Sequence, residues 1–145
     1  MPSRLSPELL ARIEDRIRKA ARFRDAGDAA LQSGDYETAV SRAYYAAYHG
    51  AVAFLMDNNK PEAETWRTHT QVISECIRIG TRRTNWLREI RLLPRIDFAE
   101  SFNTLYDWRE QADYSPQIPS REKARRARDF VKDFLIEVND RIPIA

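Results

Sequence analysis

An arginine and a histidine seven positions apart on a helix can act on one phosphate, and Arg42 and His49 stand at that separation. At about 100° per residue, seven positions fall roughly 20° short of two turns, so the two side chains share a stripe. Tyr45 lies between them, so the stripe presents a guanidinium, a phenol and an imidazole beside the apolar positions. The guanidinium is a permanently charged fork that matches phosphate oxygens, and an imidazole with its ordinary pKa of about 6.5 moves protons near neutral pH. Such a trio suits cleavage of an RNA phosphodiester. His49 would take the proton of a ribose 2′-hydroxyl or protonate the leaving oxygen, while Arg42 stabilises charge on the phosphorus-bound oxygens. That chemistry needs both side chains in one accessible groove. The plain alternative is that Arg42 pairs with an acid across a helix interface and His49 fills a polar gap.

The element that carries them reads as a helix from the cap Asp35 to about Asp57, with Tyr36, Val40, Ala43, Tyr44, Ala47, Ala51, Phe54 and Leu55 at helical spacing. Its many small residues let a neighbouring helix approach closely. Before it, Ser6 and Pro7 start a helix through Leu9, Ile13, Ile17 and Ala21 that ends near Gly34. Asn58 to Glu64 holds loop signals, and a short third helix runs from about Thr68 to the region of Gly80. Trp86, Leu87, Ile90 and Leu93 suggest a further helical stretch that Pro94 should break or kink, after which Phe98, Phe102, Leu105 and Tyr106 resume the pattern of a fourth helix ending near Tyr114. Ser120 caps a last helix through Ala127, Val131, Phe134, Leu135 and Val138, closed by Pro143. No run alternates with period two. The expected fold is all-α, a single domain over residues 1–145 built as an up-and-down bundle of four to five helices.

Composition narrows the classes. With 43% hydrophobic and 32% charged residues the chain balances as a folded protein and not as a disordered one. It contains no signal-like apolar core and no run long enough to span a bilayer, so no membrane association and a cytoplasmic location are expected. The lone Cys76 reads as a core residue. Two histidines, one cysteine and no tight carboxylate and histidine cluster fall short of a zinc ligand set, so neither metal nor cofactor is expected. Four glycines leave little material for a phosphate loop. Arginine outnumbers lysine twenty to four, and Arg78, Arg82, Arg83, Arg88, Arg91 and Arg95 face only Glu89 in their stretch, a candidate anion-binding face. Arg82 and Arg83 join Tyr45, Tyr48 and His69 as candidate substrate-binding residues. His69, at the start of the third helix, could equally cap backbone N–H groups. Gly34-Asp35-Tyr36-Glu37-Thr38-Ala39 also resembles a tetratricopeptide repeat, but no second copy follows.

Gly34-Asp35-Tyr36, Ser41-Arg42-Ala43-Tyr44-Tyr45-Ala46-Ala47-Tyr48-His49 and Phe54-Leu55, followed by Thr68-His69 and Arg109-Glu110-Gln111-Ala112-Asp113-Tyr114, resemble a HEPN domain over nearly the whole chain. The resemblance implies a small helical bundle, often a homodimer, and in many members a metal-independent ribonuclease with an arginine, four to six residues, then a histidine. Arg42 and His49 match that motif at its longest spacing. It further implies a composite site from two protomers and partnership with a small nucleotidyltransferase antitoxin. After His49 the chain reads Gly50-Ala51-Val52, without the tyrosine two residues on that some toxin members use as a modification target. The expectation is thus an RNA endonuclease acting as the toxin of a toxin–antitoxin pair. The alternatives are a non-catalytic nucleotide-binding or partner-binding module accompanying a nucleotidyltransferase, and a dimerisation bundle with solvated charges.

Overall fold

Four of the five α-helices among the described residues begin where the sequence offers their first orphan N–H groups a side-chain oxygen. The computed structural model describes residues 5–83 and 89–142, apart from the side chains of residues 82, 83 and 141. Ser6 accepts from the Leu9 N–H to open α1 (Pro7–Ser33), and Asp35 accepts from the Thr38 N–H to open α2 (Tyr36–Asp57). Asp97 opens α4 (Phe98–Tyr114) and Ser120 opens α5 (Arg121–Arg141) in the same way. Between α2 and α3 (His69–Arg83) lies a 3-10 turn, Pro61–Thr65. Gly34 ends α1 with φ at 85°, a left-handed conformation that a side chain would strain. Among the described residues the fold is all-α, with five α-helices and no strand.

The sequence expectation fails in two places. The third helix does not stop near Gly80 but continues to Arg83, because Gly80 is buried and the Thr81 hydroxyl bonds back to the Ile77 carbonyl in the turn that contains it. The helical stretch expected through Ile90 and Leu93 is irregular chain from Ile90 to Ile96. There Ile90 and Leu92 are both buried, and the Leu92 N–H is satisfied by Ser101 Oγ at 2.9 Å instead of by a helical carbonyl. Trp86, Leu87 and Pro143 lie outside the described residues.

The centre of the bundle is α2, which packs against α1, α3, α4, α5 and the 3-10 turn. From Ala39 onward it is buried around most of its circumference. Its small residues allow this, as expected: a Cβ at Gly50 would stand 2.5 Å from Leu135 Cδ2 of α5. One at Gly27 of α1 would stand 3.3 Å from the Ala39 carbonyl oxygen of α2. Phe98, Phe102, Phe130 and Phe134 stack between α4 and α5 to fill the other half of the core. Cys76 on α3 is fully buried, and burial pushes its thiol pKa upward. No helix among the described residues is long and apolar enough to cross a membrane.

Candidate functional site

A phenylalanine of α1 joins the residues that the α2 stripe had suggested. The Phe23 ring lies 5.3 Å from the His49 ring at an interplanar angle of 17°, 5.8 Å from the Tyr45 ring and 5.6 Å from the Arg42 guanidinium carbon. Arg42 is exposed and borders a polar cavity of about 380 Å3 lined by Glu37, Thr38, Ser41, Tyr45, Ala112 and Asp113. His49 departs from the expectation of a histidine projecting into an open groove. It is 7% exposed, because α2 is buried on nearly every side and α1 lies across this stretch.

The immediate neighbour of His49 is Arg16, whose guanidinium nitrogen stands 3.0 Å from His49 Nδ1. Arginine can only donate, so Nδ1 accepts and the ring proton of a neutral imidazole sits on Nε2. Burial, then the charges of Arg16, Lys19 and His69, lower the His49 pKa to about 3. At neutral pH the ring is therefore an uncharged Nε2–H donor whose other lone pair is occupied. Proton transfer by His49 requires the Arg16 contact to be released.

Tyr48 links this cluster to a second. Its ring meets His49 edge-on at 5.3 Å and lies 4.3 Å from the ring of His69. His69 opens α3, and its Nδ1 is hydrogen-bonded to the Tyr44 hydroxyl at 2.9 Å. Tyr44 is completely buried. On the far side of Tyr44 stands Arg109 of α4, 5% exposed, with its guanidinium carbon 5.0 Å from Tyr44, 5.7 Å from Tyr45 and 5.0 Å from Tyr106. It pairs with Glu110 at 3.0 Å and Asp113 at 3.5 Å, and its Nε is buried without a hydrogen bond. Burial, followed by Arg109, lowers the pKa of His69 as well.

Of the residues expected to act together, Tyr45, Tyr48, His49 and His69 form one chain of ring contacts, and Arg42 joins them only through Phe23. Arg82 and Arg83 have side chains outside the described residues, and Arg88 lies outside them altogether. From the same arginine-rich stretch, Arg78 is tied to Glu75 by two hydrogen bonds, and Arg91 donates to the Pro94 carbonyl. Sequence reasoning missed Arg16 and Phe23. Their only signal was that, with Arg12 and Lys19, they recur at helical spacing beside the apolar stripe of α1.

A family model described as the HEPN domain matches residues 13–141, which takes in α2, both histidines and Arg109. The chain belongs to the HEPN family. Among curated proteins none matches it. The HEPN match contains the whole Arg42 to His49 segment and the packing of α1 and α4 around it.

Proposed function

We propose that this HEPN protein is a metal-independent RNA endonuclease, the toxin of a toxin–antitoxin pair, with Arg42 and His49 as its reacting pair. The reading is carried by the shared contact of both side chains with Phe23, which sets an exposed guanidinium and an imidazole on the same aromatic ring. RNA brings its own nucleophile, the 2′-hydroxyl. Arg42 holds the non-bridging oxygens of the phosphate. When a phosphate draws Arg16 away, the freed lone pair of His49 takes the 2′-hydroxyl proton. The 2′-oxygen to phosphorus bond forms, the bond to the 5′-oxygen breaks, and that oxygen is protonated by solvent. The products are a 2′,3′-cyclic phosphate and a 5′-hydroxyl end. Two protomers would each contribute the pair, and a nucleotidyltransferase would serve as the antitoxin.

The test is incubation of the purified protein with labelled RNA in the presence of EDTA. Cleavage is expected, with both Arg42→Ala and His49→Ala reducing it by at least about 100-fold, on the scale of losing one transition-state donor, while far-UV circular dichroism is retained. Cleavage that persists in both variants overturns the assignment. The depressed basicity of His49 favours a second reading, a non-catalytic module that binds nucleotide or partner beside a nucleotidyltransferase. That reading predicts RNA retention without turnover and no response to His49→Ala.

A further inference from the structure

The cationic groove of α1 leads into the Arg42 and His49 cluster. Arg12, Arg16, Lys19 and Phe23 recur at helical spacing, so they line one face of α1, with Arg22 at its flank. From Arg12 to Phe23 this face runs about 16 Å, room for several phosphates. A shallow cavity of about 280 Å3 is lined by Arg12, Asp15, Arg16, Lys19, Arg22 and Glu64. Its two acids are already engaged: Asp15 pairs with Arg18, and Glu64 with Arg12 and, at 3.9 Å, with Arg16. Lys19 and Arg22 are exposed and make no ion pair with another described residue. The larger cavity beside Gly34 contrasts with it. Two of its three arginines, Arg125 and Arg128, are matched by Glu122, Asp129 and Asp28, which leaves Arg121 alone there without an ion pair to another described residue.

We propose that the α1 groove of Arg12, Arg16, Lys19 and Arg22 is the track for the backbone of single-stranded RNA, delivering a phosphodiester to Arg42 and His49. The inference rests on the nuclease reading for its end point, not for its binding. Single-stranded RNA is selected because the track ends on partly exposed rings, Phe23, Tyr45 and Tyr48, which can take a base face that a duplex keeps stacked. Arg16 is the junction. It lines the groove and holds His49 Nδ1, so a phosphate that recruits its guanidinium also releases the imidazole. Arg16 is a positioning residue, acting through His49.

Fluorescence anisotropy with a labelled single-stranded RNA of about twelve nucleotides, titrated over a series of KCl concentrations, tests the track. Each cation that neutralises a phosphate contributes about 0.7 to the slope of log affinity against log salt on a single strand. The double variant Lys19→Ala with Arg22→Ala is expected to lower that slope by about 1.4 and to weaken binding roughly tenfold or more at about 0.1 M salt. Both side chains are exposed, and an unchanged urea midpoint checks the fold. Arg125→Ala with Arg128→Ala is expected to leave the slope unchanged. An equal loss in that control, an unchanged slope in the first variant, or absence of binding overturns the track. Equal affinity for duplex RNA, or displacement by polyglutamate of matched charge, overturns the choice of ligand. Cleavage is read from the same mixtures. RNA held by the track but left intact sinks the nuclease reading alone, whereas cleavage with an unchanged slope sinks the track alone.

Discussion

Two arginines stand beside the aromatic residues of α2, and they are held in opposite ways. Arg109 is closed in by three tyrosine rings and two acids of its own helix, with 5% exposure. Arg16 reaches in from the cationic groove, keeps about a fifth of its side chain in solvent, and contacts His49 and Glu64 at its tip. An arginine with its planar faces on rings fixes a packing arrangement. One that meets an imidazole nitrogen and a more distant carboxylate at the edge of a groove can trade the imidazole for a phosphate. The fold thus separates the cation that builds the cluster from the cation that regulates it.

That contrast breaks most sharply on stability. Arg109→Ala removes a buried charge that spans α2 and α4, and is expected to lower the unfolding free energy by about 2–4 kcal/mol in urea titrations. Arg16→Ala is expected to cost about 1 kcal/mol or less. Equal costs would erase the distinction. Acid sensitivity sharpens it next. The folded-state pKa of His49 lies below its unfolded value, so the native state binds fewer protons than the unfolded chain below about pH 6.5. The stability from this group is present above that pH and is lost as pH falls toward 3, by up to about 1.4 kcal/mol per unit. In urea titrations from about pH 6.5 to about pH 4.5, His49→Gln should show a shallower decline than the parent protein. Arg16→Ala, by removing one of the charges that depress the ring, should move the histidine resonances of His49 to titrate at higher pH by NMR. A cost similar in size to that of Arg16→Ala comes from the fixed cluster: Tyr44→Phe deletes the hydroxyl bonded to His69 and should cost about 1 kcal/mol in the same urea assay.

What could be read in advance follows from the range of the forces involved. Caps and terminators act over a few residues, so Ser6, Gly34, Asp35 and Ser120 announce their helix ends directly. Arg42, Tyr45 and His49 share a stripe for a reason internal to α2, and that reading agrees with their common contact on Phe23. For His49 the sequence left an open groove and a buried polar gap as alternatives and could not choose between them, because amphipathic periodicity assigns a polar face only to a helix with one side in water, and α2 is enclosed. Phe23 and Arg16 were equally hidden. They belong to the site through the antiparallel docking of α1 on α2, a long-range contact that no local pattern encodes. The Ile90 to Ile96 segment misled for a related reason: its apolar spacing fits a helix, but Ser101 of α4 takes the backbone group a helix would have used.

The single sulfhydryl of the chain lends itself to timing. Cys76 sits sealed on α3 in the native state, and its burial keeps it in the unreactive protonated form. A maleimide or disulfide reagent can therefore couple only in the moments when α3 lifts from the bundle, and each molecule carries one such stopwatch without any engineering. Labelling rates recorded with and without RNA would then report whether occupancy of the distant α1 groove tightens the whole bundle or only its near edge.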